Sequence, residues 1–138
     1  MNTGALKSLS IVSAVLGIIL GIIGSIPFIN ALSIFALFTL TGIVSLIQYS
    51  MLFSDENRLL PSQNALISSM GGFFSAFCAC LVFVPVALIF NIHGFSTLFE
   101  GINIFIIIVL VFFFALICAM TNAFTGWIFS YIYNMIRK

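Results

Sequence analysis

The side chains of this sequence that carry reactive chemistry are few, and their spacing works against a catalytic centre. Cys78 and Cys80 are separated by a single residue and Cys118 stands apart. Redox dithiols and zinc motifs set at least two residues between paired cysteines. All three sulfurs fall inside apolar runs, where a free cysteine behaves as a small buried hydrophobe. His93 is the only histidine, which excludes a haem held by two histidines of one chain. With Glu100 it offers two ligands, where zinc takes three or four. Asp55 is the sole aspartate and adjoins Glu56 in a hydrophilic stretch, an arrangement that solvation explains. No paired aspartates, Ser-His arrangement or Gly-rich phosphate loop is present. The expectation is a chain that is not an enzyme, with no catalytic, cofactor-binding or metal-binding residues.

The elements that would have to position any site are defined by charge. Four basic and three acidic side chains are spread over 138 residues, 5% of the total, against roughly 25% in a soluble domain. Too few polar groups remain to coat a water-soluble core. The net charge of +1 comes with no basic run, so no nucleic-acid partner is expected. About 20 apolar residues cross the ~30 Å of bilayer hydrocarbon, and such stretches lie at about 6–26, 31–53, 65–90 and 102–133. They do not alternate as barrel strands do. In lipid the backbone must bond to itself, which favours helices. The fold class expected is an all-α integral membrane protein in which four transmembrane helices form an up-down bundle, a single membrane domain. Ion-coupled transport needs an ionisable group within a span; apart from Lys7 at the edge of the first, the spans carry none.

An even number of spans puts both termini and the 54–64 connection on one side, together with Lys7, Arg58, Arg137 and Lys138. The positive-inside rule makes that side cytoplasmic, and the expected location is the cytoplasmic membrane of a prokaryote. The first turn, about 24–30, is tight. Gly24 is expected to end the first helix in a left-handed conformation, with Pro27 leading into the second. Ser62 is expected to cap the third helix, with Pro61 just before it, and Pro85 to kink it. In the outer connection Phe95, Leu98, Phe99 and Ile102 fall at helical spacing, which is read either as one apolar face of a short interfacial helix with Glu100 toward water or as a partly buried loop. The last helix is too long for the bilayer and ends in Trp127, Tyr131 and Tyr133 followed by basic residues, an interfacial pattern. It is expected to tilt, to bend near Gly126 or to project from the membrane.

Helices in lipid associate through small residues that let backbones approach, with polar side chains as further contacts. Gly17 and Gly21 form a GxxxG in the first helix. Ser68, Gly72, Ala76 and Cys80 lie in one small-residue row of the third, beside a second row of Gly71, Ser75 and Ala79. Ala119 and Gly126 lie in a row of the fourth with Ala115 and Asn122. These rows are read as helix-packing surfaces, chiefly within one chain. Thr41, Ser45 and Gln48 share a face of the second helix, and Asn122 is their expected partner in a polar cluster. With the lipid bilayer as solvent, the expected role is structural: an accessory subunit of a larger membrane assembly, contacting other membrane-protein subunits or copies of itself. The alternatives are a passive channel or transporter for a neutral small solute, lined by Thr41, Ser45, Gln48, Thr121, Asn122 and Thr125, and a holin-like permeabilising protein.

Overall fold

The computed structural model describes residues 3–52 and 60–136, leaving aside the side chains of Ala5, Leu52 and His93. Asp55, Glu56, Arg58, Arg137, Lys138 and the His93 side chain lie outside the described residues. Four helices are long and apolar enough to cross a membrane: α1 (Thr3–Gly24), α2 (Asn30–Leu52), α3 (Pro61–Ile89) and α5 (Ile104–Ile136). The short α4 (Phe95–Leu98) follows a 3-10 turn at Ile92–Gly94, and no strand occurs among the described residues.

Contacts between helices set their directions. Ser8, Ser13 and Leu20 of α1 meet Gln48, Ser45 and Ser33 of α2, so numbering runs in opposite senses. Gly17 and Gly21 of α1 meet Ser75 and Ala79 of α3 in the same sense. Asn122, Gly126 and Ser130 of α5 meet Gly72, Ser68 and Asn64 of α3 in reverse. The bundle therefore runs up and down, with the N-terminus of α1 and the C-terminus of α5 at one end. Among the described residues α1 and α5 do not touch. In cross-section α2 and α3 form the short diagonal of a rhombus, with α1 and α5 at its far corners.

The central place of α3 follows from its sequence. Asn64, Ile67, Ser68, Gly71, Gly72, Ser75, Ala76 and Ala79 are all buried, at alternating steps of three and one. That stripe is two residues wide, enough to face α1, α2 and α5 at once. On α5 the buried row is Ala115, Cys118, Asn122, Gly126 and Ser130, and Ala119 is only half-buried beside it. The amphipathicity is inverted relative to a soluble bundle. Small and polar residues point inward, while Phe, Ile and Leu cover the outside.

Several local expectations need correction. α3 starts at Pro61, with Leu60 rather than Ser62 in the cap position and no side-chain cap bond. A first-turn amide has no partner inside the helix, so proline sits there without loss. Gly24 is not left-handed: it ends α1 packed against Ser33, and Phe28 takes the positive angle in the turn (φ 78°). Phe95 and Phe99 turn inward, whereas Leu98 is exposed, because four residues of helix are too few to hold one face.

The Phe28 side chain is 98% exposed, so nothing in the fold compensates a conformation costing about 1–2 kcal/mol for an L residue. Phe28→Gly is expected to stabilise the bundle by up to about 1 kcal/mol after glycine's greater unfolded freedom is subtracted. Circular dichroism during a denaturing-detergent titration checks it.

Candidate functional site: a hydrogen-bonded seam and an apolar cavity

The interior divides along its length. At the end shared by the start of α1 and the end of α5, the seam between the helices is polar, and Ser13, Thr41, Ser45, Asn64, Ser68, Ser75, Asn122 and Ser130 are all buried there. Every pair of long helices that touches is joined by a side-chain hydrogen bond. Ser33 of α2 donates to the Leu20 carbonyl of α1 at 2.5 Å, and Ser75 of α3 donates to the Ser13 carbonyl of α1 at 3.0 Å. Ser68 of α3 donates to the Gly42 carbonyl of α2 at 3.0 Å, and the Asn64 amide of α3 to the Ser130 hydroxyl of α5. Asn122 joins α5 to α2.

Asn122 is the centre of this seam. Its Nδ2 donates to the Leu37 and Cys118 carbonyls at 2.7 and 2.8 Å. Its Oδ1 accepts from the Gly42 N–H at 2.7 Å and from the Thr41 hydroxyl at 3.2 Å. An amide has two N–H donors and two lone pairs on oxygen, so each of its four positions faces a partner, the Thr41 proton being shared with the Leu37 carbonyl at 3.1 Å. Two carbonyls on one side and an N–H on the other also fix which way the amide points. Glycines wrap the group: a Cβ on Gly42 would lie 2.6 Å from Oδ1, and one on Gly72 would lie 2.6 Å from Nδ2. A methyl group has no room on either glycine.

The predicted cluster is thus assembled only in part. Thr41 reaches Asn122, but Ser45 faces α1, where its hydroxyl lies 3.4 Å from that of Ser13. Gln48 also turns to α1 and donates to Ser8 Oγ at 3.1 Å. Three residues along a helix face span more than one neighbour when the bundle has two on that side. Thr121 and Thr125 bond back to carbonyls of their own helix. The packing residues Gly17, Gly21, Gly72 and Gly126 meet Ser75, Ala79, Asn122 and Ser68 within the chain, Ala76 is fully buried, and Ala119 lies at the edge of the contact. Sequence reasoning passed over Ser33, Gly42, Asn64 and Ser130. For Gly42 the signal was a lone glycine in the middle of a span, which marks a close approach; the two serines and Asn64 gave no pattern of their own.

Toward the opposite end the interior turns apolar. Leu37, Ala76, Ala79, Ala115 and Cys118 form a buried cluster. Above it a cavity of about 270 Å³ opens beneath Phe95 and Phe99. No cluster of three or more His, Cys, Asp or Glu that would hold a metal occurs among the described residues. Matching to protein-family models, to curated proteins and to solved structures finds no relative of this chain.

Proposed function

We propose that the chain is an integral membrane protein that works as a non-catalytic, non-conducting scaffold, an accessory subunit docking to other membrane proteins through its outer face. The observation that carries this reading is the saturated amide of Asn122, closed in by Gly42 and Gly72. A central amide spent on holding the bundle together leaves no lined path for a solute at its level, so the work falls to the outside. The glycine rows used within the chain also weigh against self-assembly through GxxxG. The outward face of α5 supports the choice of docking helix. Its contacts are with α2 and α3, and it carries a stacked series of Phe124, Trp127 and Tyr131 at 6.4 and 6.5 Å. At 33 residues it is about 50 Å long at 1.5 Å per residue, longer than the hydrocarbon it would cross.

The one-sided basic residues support a cytoplasmic location for both termini, and the proposed membrane is the cytoplasmic membrane of a prokaryote. Extracted in mild detergent, the chain is expected in a complex of fixed stoichiometry larger than one 15.1 kDa copy. Bulky-to-charged changes on α5, such as Phe113→Glu, are expected to dissolve that complex. A lone monomer that co-purifies with nothing overturns the reading. In liposomes the purified chain is expected to pass no small neutral solute, and its expression to leave the host unlysed.

A further inference from the structure

We propose that the apolar cavity beneath α4 holds one hydrocarbon chain of a membrane lipid. The inference rests on the membrane-embedded reading and adds a ligand to it. Phe38 of α2 and Phe114 of α5 close edge to face at 5.7 Å, and the cavity lies beyond that contact, lined by Ile34 and Leu37 of α2 and Ile107, Leu110 and Val111 of α5. The space between them is floored by Leu37, Ala79 and Phe114 and backed by α1 and α3. Phe95 and Phe99 roof it, their rings tilted by 37° with centroids 4.5 Å apart, and Phe83 buttresses Phe95 edge to face at 5.7 Å. Glycines with positive φ, Gly94 and Gly101, stand on either side of this roof.

The chemistry of the walls selects the ligand. Ser33 spends its hydroxyl proton on the Leu20 carbonyl, and Asn30 at the edge accepts the Ala31 N–H. The remaining wall atoms are overwhelmingly carbon. A polar ligand would lose its hydration with nothing in return, at several kcal/mol per group. Water is no better served, since cavities lined this way stay dry. A cavity of ~150 Å³ admits six-carbon benzene, so 270 Å³ accommodates about ten carbons, the distal part of an acyl chain. The mouth points to the same ligand. Among the lining residues only Ile34 of α2 and Leu110 of α5 are exposed, at 46% and 49%. The cavity therefore opens sideways between two apolar helices, into the hydrocarbon and not into water.

The test uses the full chain in phospholipid nanodiscs containing a phosphatidylcholine with a diazirine near the end of one acyl chain. After irradiation, adducts are located by mass spectrometry. The expected map concentrates adducts on Leu37, Cys80 and Phe114. Val111→Trp and, separately, Cys80→Phe fill the cavity and are expected to abolish those adducts while labelling of the outer faces persists. Even labelling of the outer faces with no cavity adducts in the unaltered chain overturns the inference. So do cavity adducts that survive both substitutions. Alkaline carbonate extraction separates the two readings: release from the membrane sinks the embedded reading itself, whereas an embedded chain with an unlabelled cavity sinks only the lipid site.

Discussion

Gly17→Leu is expected to prevent the bundle from closing, at a cost of at least about 3 kcal/mol, the upper end of ordinary overpacking. A Cβ at Gly17 would coincide with the Ser75 carbonyl, and the next nearest atoms are also Ser75 backbone. No rotamer change relieves a clash with main chain. Relief would require α1 to move off α3, and that movement also separates Ser75 from the Ser13 carbonyl and Gly21 from Ala79. Ala119→Leu is the control. Ala119 is half-buried at the edge of the α5 contact, and the added volume goes outward, so the change is expected within about 0.5 kcal/mol. Unfolding in a denaturing-detergent titration, followed by helical signal and by proteolysis, measures both. Equal tolerance of the two substitutions would mean that α1 and α3 do not approach at Gly17.

Asn122→Asp is expected to cost more than Asn122→Leu, though it changes fewer atoms. Nδ2 faces two carbonyl oxygens at 2.7 and 2.8 Å. A carboxylate there turns two attractions into two repulsions and buries a charge that costs about 3 kcal/mol even at an isolated helix centre. Leucine removes the bonds without adding charge. Hydrogen bonds between membrane helices average about 0.6 kcal/mol and reach about 1.7, so losing this set costs about 2 kcal/mol. Thr41 keeps the Leu37 carbonyl as an alternative acceptor, which softens the loss. The same titration orders the variants. An aspartate variant as stable as the native chain would mean that the amide faces water, and the solute pathway would regain its footing.

Much of the architecture was legible because long apolar runs with almost no charge leave few structural choices. A run of about 20 apolar residues has to satisfy its backbone internally, so the positions and lengths of the four helices can be read within a few residues. The α3 stripe was legible as well, since Ser68, Gly72 and Ala76, and Gly71, Ser75 and Ala79, repeat at helical spacing. Caps and turns were less so. The choice between Gly24 and Phe28 for the left-handed position depends on where α2 must return against α1, and local preference alone favours the glycine. Ala119 and Cys118 show the same limit: both are small, and a rotation of one residue about the α5 axis decides which is buried.

Residue types alone determined that the chain is a set of long apolar helices with small and polar residues in rows, because spacing along a helix fixes which residues share a face. Spacing does not say which neighbour that face meets. The tertiary structure decided that Asn122 binds Leu37, Gly42 and Thr41 while Ser45 and Gln48 turn to α1, and that the GxxxG of Gly17 and Gly21 is consumed by α3. It also created the cavity under Phe95 and Phe99. A void belongs to no residue: it arises where side chains from α1, α2, α3 and α5, beyond the Phe38–Phe114 contact, leave a gap that none of them fills.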